Sequence, residues 1–339
     1  MKIFNTSKFM FLMMMMMGTL ISIMSNSWPA TWIGLEMNLL SFIPLMYMKK
    51  NVLSAEACMK YYIIQALASS IMLTSIIMFY VNIKFFVNPN LIQTLTTISL
   101  MMKMGATPFH MWFPSVMEGL SWMNCFILMT WQKISPMLIL SYLNSSYSLM
   151  MMIIMMSVMI GSLGGLNQTS LRKIMAYSSI NHIGWMLLAM MMSELLWQVY
   201  FLIYTIIVAT VLLLMMDFSS YHINQFNMKS KSMMIKFPIL VNLLSLGGLP
   251  PFLGFIPKWL TIQYTLTQNN LIIINIMVIM TMITLFYYIQ IIMTSYLLNS
   301  NSMKWNHQTK FMKNYIVIMI MTTASLMTLP LYTYMSFTL

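Results

Sequence analysis

The residues able to do chemistry in this chain are few, ionisable and set inside apolar sequence. Two stretches 143 residues apart share one helix-breaking pattern with a lysine beside it. The first reads Lys103-Met-Gly105-Ala-Thr-Pro108-Phe109-His110-Met-Trp-Phe-Pro114, the second Gly248-Leu-Pro-Pro251-Phe252-Leu-Gly-Phe-Ile-Pro257-Lys258. Glycine, proline, phenylalanine and the second proline recur at identical spacing. Gly and Pro interruptions at corresponding places in two halves of a membrane protein point to an ion or substrate site, because a broken helix offers backbone groups to a cavity. The chemistry this implies is movement of a cation, with protons carried on lysines.

A charge at the centre of a bilayer costs about 3 kcal/mol, so an intramembrane ionisable residue is a functional candidate by default. Glu36, Lys103, Lys133 and Lys258 qualify. Unrelieved, the four together would cost roughly 10 kcal/mol, comparable with the whole stability of a typical domain, so partners or water must accompany them. Glu36, in the apolar run from Trp28 to Pro44, reads as a counter-ion to a lysine, or more plainly as a hydrogen-bonded or neutral buried carboxylate. Glu56 lies near Lys49 and Lys50 and reads as a helix-end charge. Lys103, two residues before Gly105, can hold or release a proton on a small change of geometry; its plainer reading is a helix-end lysine reaching for the interface. Lys133 lies midway through a span, which is harder to explain structurally, and Lys258 follows the second break. His110, inside the first break, and His182, in the polar run Ser178-Ser179-Ile-Asn181-His182, are weaker relay candidates, since a lone histidine is as often a hydrogen-bonded core residue.

Other chemistries find no support. The sequence has no GxGxxG, no GxxxxGK[ST], and no Ser, His and Asp set outside the membrane. Gly164-Gly165-Leu-Asn-Gln-Thr-Ser-Leu-Arg172-Lys173 looks like a phosphate loop but joins two spans, and reads as a tight turn with a basic anchor. Cys58 and Cys125 form no CxxC and read as small buried hydrophobes; no histidine or carboxylate cluster suggests a metal.

The elements that must position these residues are membrane helices. The chain of 339 residues is 60% hydrophobic and 6% charged, against about 25% charged in soluble domains, and its mean hydropathy is +0.80. Apolar stretches able to cross a layer of about 30 Å fall at 9–25, 28–47, 54–82, 91–109, 121–143, 147–165, 171–192, 194–217, 237–267 (broken), 270–298 and 314–336. Eleven spans joined by tight connections predict one all-α polytopic bundle over 1–339 with no soluble domain. Numbered this way, thirteen of the seventeen Lys and Arg residues fall on the side of the N-terminus and only Lys84 on the other. Lys103, Lys133 and Lys258 lie in the apolar segments. A wrong span count would scramble this segregation. The net charge of +12 is therefore a topology signal, and no nucleic-acid partner is expected. Lys2 and Lys8 before the first apolar run resemble a signal peptide, but a cleavage motif is missing and a second span follows at once, so a retained first helix is expected. With 48 Met and a single Arg, the composition fits an A+T-rich mitochondrial genome that reads ATA as Met.

The chain resembles the antiporter-like family of membrane subunits of NADH:ubiquinone oxidoreductase, respiratory complex I. The resemblance rests on Trp32-Ile-Gly-Leu-Glu36-Met-Asn, the first break, Thr130-Trp-Gln-Lys133-Ile-Ser-Pro136, the Gly164 to Lys173 turn, and Leu244-Ser-Leu-Gly-Gly-Leu-Pro-Pro-Phe through Lys258-Trp259. It implies two inverted five-helix repeats, about 9–143 and about 147–298, each with a discontinuous helix, plus a terminal helix at about 314–336. On this resemblance the full family has fourteen helices, of which this chain is expected to lack the first three. By the same resemblance Glu36 pairs with Lys103, Lys133 is the central relay and Lys258 the lysine at the exit. It further implies proton translocation across the mitochondrial inner membrane coupled to NADH oxidation and ubiquinone reduction, with no redox catalysis in this chain. Cofactors are then none in this chain, FMN and iron–sulfur clusters lying elsewhere in the complex, and the partners are other complex I subunits, neighbouring antiporter-like ones among them, and membrane lipids. The alternative is an autonomous cation/proton antiporter.

Overall fold

The computed structural model describes residues 6–48, 51–81, 89–143, 146–223, 225, 233–268, 270–297, 319–320 and 322–326. The chain divides into two units, Met1–Ser157 and Val158–Leu339. The first holds α1 (Thr6–Met24), α2 (Trp28–Met46), α3 (Val52–Tyr80), α4 (Pro89–Met104), α5 (Trp112–Gly119), α6 (Trp122–Met129) and α7 (Trp131–Ser141). The division falls inside α8 (Tyr147–Gly165), and the second unit continues with α9 (Leu171–Met192), α10 (Glu194–Phe218), α11 (Met233–Gly247), α12 (Phe255–Thr267) and α13 (Leu271–Leu297). The expected span at 314–336 lies outside the described residues except for 319–320 and 322–326.

Local chemistry sets many of these boundaries. Pro29 starts α2, where its missing N–H costs nothing. The Asn51 side chain accepts from the Leu53 N–H at the start of α3, and Ser193 accepts from the Leu196 N–H at the start of α10. Two expected spans are interrupted. The one expected to run to residue 109 ends at Met104, and that expected over 121–143 is split at Thr130 into α6 and α7. At Thr130 both the backbone N–H and the hydroxyl bond to the Phe126 carbonyl. The hydroxyl competes with the helical ladder there and bends it. Between the break and α6 lies α5, a short helix that hydrophobic run length did not reveal.

The surfaces are those of a protein in lipid. Large side chains such as Met10, Leu40, Met59, Leu67, Leu202, Ile272 and Met282 are exposed, while Asn38, Gln65, Asn181 and Asn242 are buried. Buried polar groups must bond internally where no water competes. Asn124 donates to the Leu45 carbonyl at 2.9 Å, Trp32 Nε1 to the Ser69 carbonyl at 3.2 Å, and Thr210 to Asn242 Oδ1 at 3.0 Å. Close approach of α1 and α2 depends on two glycines: a Cβ on Gly18 would lie 2.9 Å from the Asn38 nitrogen, and one on Gly34 would lie 2.6 Å from the Ser22 nitrogen. Small residues at a helix crossing are the usual means of such contact in membranes. Among the described residues, five helices, α1, α3, α8, α10 and α13, are individually long and apolar enough to cross a bilayer.

Candidate functional site

The first break begins where Gly105 turns to φ +73°. Its N–H bonds to the Met102 carbonyl at 3.2 Å and that of Ala106 to Met101 at 3.0 Å, the paired arrangement by which a left-handed glycine closes a helix. Lys103 is thereby placed in the last turn of α4. Thr107 Oγ1 donates to the Ile153 carbonyl at 3.3 Å, His110 Nδ1 lies 3.2 Å from the Pro108 carbonyl, and the His110 N-side of the turn leads into α5 through a Phe113 N–H bond to His110. One of the helix-end carbonyls, that of Lys103 itself, accepts from Gln65 Nε2 of α3 at 3.2 Å.

The Lys103 side chain is only 7% exposed, yet Nζ makes no hydrogen bond. Glu36, half-buried on α2, is within electrostatic reach of both Lys103 and Tyr61. Around Lys103 the fold assembles a polar set that motif reading missed. Tyr61 donates to Gln132 Oε1 at 3.4 Å, and Gln132 Nε2 donates to Asn38 Oδ1 at 3.0 Å. Tyr61, Gln65, Asn38, Gln132, Ser135 and Lys103 line one small cavity. The signal that could have found these residues is an amide or hydroxyl inside an apolar span, where each must find a partner.

Lys133, on α7, is 1% exposed, and its Nζ stands 5.3 Å from the centre of the Phe113 ring. Phe113 lies on α5 just past the break, so the broken segment supplies an aromatic face to the cation of α7. Glu36, Lys103, His110 and Lys133 all belong to the first unit.

The second break repeats the glycine turn of the first. Gly248 takes φ +81°, its N–H bonds to Ser245 at 3.0 Å, and the Leu249 N–H bonds to Leu244 at 3.4 Å. Here the lysine behaves differently. Lys258, in the opening turns of α12, folds back across the break so that Nζ donates to the Gly247 carbonyl at 2.7 Å. A Cβ on Gly248 would lie 2.9 Å from both Nζ and Cδ of Lys258, so alanine there would have to displace that side chain as well as adopt a positive φ. Nζ also stands 5.9 Å from the Trp185 ring of α9. His182, one turn earlier on α9, is buried; its Nδ1 lies 3.0 Å from Tyr200 Oη, and its ring centre lies 5.0 Å from that of Tyr204. Lys258 and His182 thus belong to the second unit.

Long apolar helices with polar interiors, and two shorter ones ended by left-handed glycines beside buried lysines, define the class: an integral membrane protein of antiporter-like build. The chain belongs to the NADH:quinone oxidoreductase/Mrp antiporter transmembrane family, whose model matches residues 25–284. It is 51% identical over 309 residues to the NADH-ubiquinone oxidoreductase chain 2 of Anopheles gambiae, covering 89% of each chain. To the protein of that name from Aedes aegypti it is 49% identical over 328 residues, covering 95% of this chain and 96% of the relative. Among solved structures, a chain of respiratory complex I from Thermus thermophilus superimposes with a TM-score of 0.84 at 20% identity, over 96% of this chain and 78% of that one. A chain of the Mrp complex from Dietzia sp. DQ12-45-1b does so with a TM-score of 0.77 at 16% identity, over 94% and 73%. At these identities the structures establish the fold.

Proposed function

We propose that this chain is a proton-translocating membrane-arm subunit of NADH:ubiquinone oxidoreductase in the inner mitochondrial membrane. The observation that carries the reading is the pair of matching helix breaks, each with a buried lysine beside it. Relatives named as chain 2 of the oxidoreductase, at 51% and 49% identity, favour this over an autonomous antiporter, which shares the fold. The chain crosses the membrane eleven times, as two inverted five-helix repeats and a terminal helix, and is a product of the mitochondrial genome. It holds no NADH, flavin, iron–sulfur cluster or quinone; FMN and the clusters belong to other subunits, and further antiporter-like subunits and lipids surround it.

In this reading, redox energy released elsewhere alters the separation of Glu36 and Lys103. A change in that separation changes how tightly Lys103 holds its proton. The proton passes on by way of Lys133 and leaves by Lys258, with His110 and His182 as relays. Groups coupled in this way titrate as a set. Lys133→Met in the assembled complex is expected to keep assembly and to depress coupled turnover; an unaltered rate and proton yield would remove the relay role.

The identity of the complex is tested by native electrophoresis of the source membrane in mild detergent, with in-gel NADH dehydrogenase staining and mass spectrometry of the active band. Recovery of the chain only in a large NADH-oxidising band is the expected result. A small free band, with none in the large one, would transfer the reading to the autonomous antiporter.

A further inference from the structure

Among the described residues, buried serines within helices follow one habit. Ser41, Ser69, Ser75, Ser99, Ser157, Ser178, Ser179 and Ser245 each donate the side-chain hydroxyl to the carbonyl three residues earlier. That bond is the default for a hydroxyl in a helix with no water to hand. Ser135 departs from it. It is 0% exposed, and its Oγ has no hydrogen-bond partner. The departure is not for want of an acceptor. Pro136 follows, has no N–H, and so leaves the Gln132 carbonyl, three residues before Ser135, without its usual helical donor.

The hydroxyl that declines this bond lines the same cavity as Lys103, whose Nζ is likewise buried and without a hydrogen bond. Buried polar atoms in native proteins are almost always satisfied by protein or by ordered water. Two of them on one cavity, a donor-only ammonium and a hydroxyl that can donate or accept, match what a single water requires. The cavity has space for about one such molecule. Asn38 and Gln132, already bonded to each other through one amide, also line it and keep carbonyl lone pairs to offer.

We propose that Ser135 is a positioning residue for proton transfer: with Lys103 it holds one water in this cavity, and that water is the immediate acceptor of the Lys103 proton. This rests on the proposed proton-translocating role. In the step, an N–H bond of the Lys103 ammonium breaks and an O–H bond forms on the water. The lysine is left as the neutral amine and the positive charge moves to the water. The oxygens of Ser135, Asn38 and Gln132 surround the place where that charge develops, which lowers the cost of forming it in an apolar interior. A lysine without such an acceptor could keep its charge but not pass it on.

The test uses the assembled complex in sealed membrane vesicles, with NADH-driven quinone reduction, proton uptake and the solvent deuterium isotope effect measured together. Ser135→Ala is expected to assemble, to slow coupled turnover about three- to tenfold, and to raise the isotope effect because transfer from Lys103 becomes the slow step. Ser135→Thr is expected to restore both. A packing role for Ser135 would leave the isotope effect at its original value. Lys103→Met runs alongside. If it abolishes pumping while Ser135→Ala matches the original protein in rate and isotope effect, the inference falls and the proton-translocating role stands. If both variants pump normally, both readings fall. Should Ser135→Ala fail to assemble, a density map of the unaltered complex at a resolution that shows neighbouring ordered waters decides. A peak within hydrogen-bonding distance of Lys103 Nζ and Ser135 Oγ supports the site, and none there overturns it.

Discussion

The two broken helices end in the same glycine turn and hold their lysines differently. Each ends at a glycine of positive φ with the same pair of closing hydrogen bonds, at Gly105 and at Gly248. At the first break Gln65 of α3 bonds a helix-end carbonyl, and the Lys103 ammonium is left without a hydrogen bond beside a cavity. At the second, Lys258 itself bonds the helix-end carbonyl of Gly247. The two lysines thus start from different hydrogen-bonding states. An ammonium committed to a carbonyl must break that bond before it can hand on a proton, whereas an uncommitted one needs only an acceptor.

The largest effect expected from this contrast is on pumping. Lys103→Met should lower proton uptake coupled to quinone reduction by about a hundredfold or more, the range a positioned acid or base supplies, as read from dye quenching in vesicles. If proton uptake survives intact, the free lysine is not the one that carries protons.

Backbone strain comes next. Alanine at either glycine meets a left-handed conformation that costs roughly 1–2 kcal/mol. At position 248 its Cβ also meets the Lys258 side chain, whereas at position 105 it meets Phe113 at 3.2 Å. Gly248→Ala should therefore lower the midpoint of thermal disassembly more than Gly105→Ala. An equal fall in both would mean that Lys258 readily leaves the break.

A smaller effect separates the lysines by stability. Both Lys103→Met and Lys258→Met relieve a buried charge, but only the second strips a carbonyl of its donor, a loss of about 1–3 kcal/mol. Thermal disassembly should thus begin earlier for Lys258→Met than for Lys103→Met. The reverse order would show that the Lys258 bond to Gly247 contributes little.

The smallest change is at Gln65. Gln65→Leu removes the donor to the Lys103 carbonyl at a net cost of about 1 kcal/mol and takes a polar wall from the cavity beside Lys103. Coupled turnover should fall modestly while assembly persists. Turnover that stays unchanged, with stability lowered, would leave Gln65 a cap without influence on the lysine.

Much of this architecture was legible beforehand because its causes are local. A glycine at a helix end and a proline without an N–H act within a few residues, so both breaks could be placed from Gly105, Pro108, Gly248 and Pro251 alone. Lys103, Lys133 and Lys258 stood out because ionisable residues are costly in apolar runs, and all three prove buried. Span ends were less legible. The fracture at Thr130 and the short helix α5 leave little trace in hydrophobic run length, since a hydroxyl bond to the preceding turn costs no apolar residue.

The sequence by itself determined the membrane environment, the positions of the two breaks and the identity of the buried cations. Composition and the stereochemistry of Gly and Pro act without reference to distant residues. Only the tertiary structure decided which lysine is bonded and which is free. The Gln65 bond to the Lys103 carbonyl spans 38 positions, that of Gln132 to Asn38 spans 94, and the Lys258 bond recrosses its own break. Such partners are chosen by how helices pack, because a hydrogen bond needs its two atoms within about 3 Å, and that separation is a property of the folded chain.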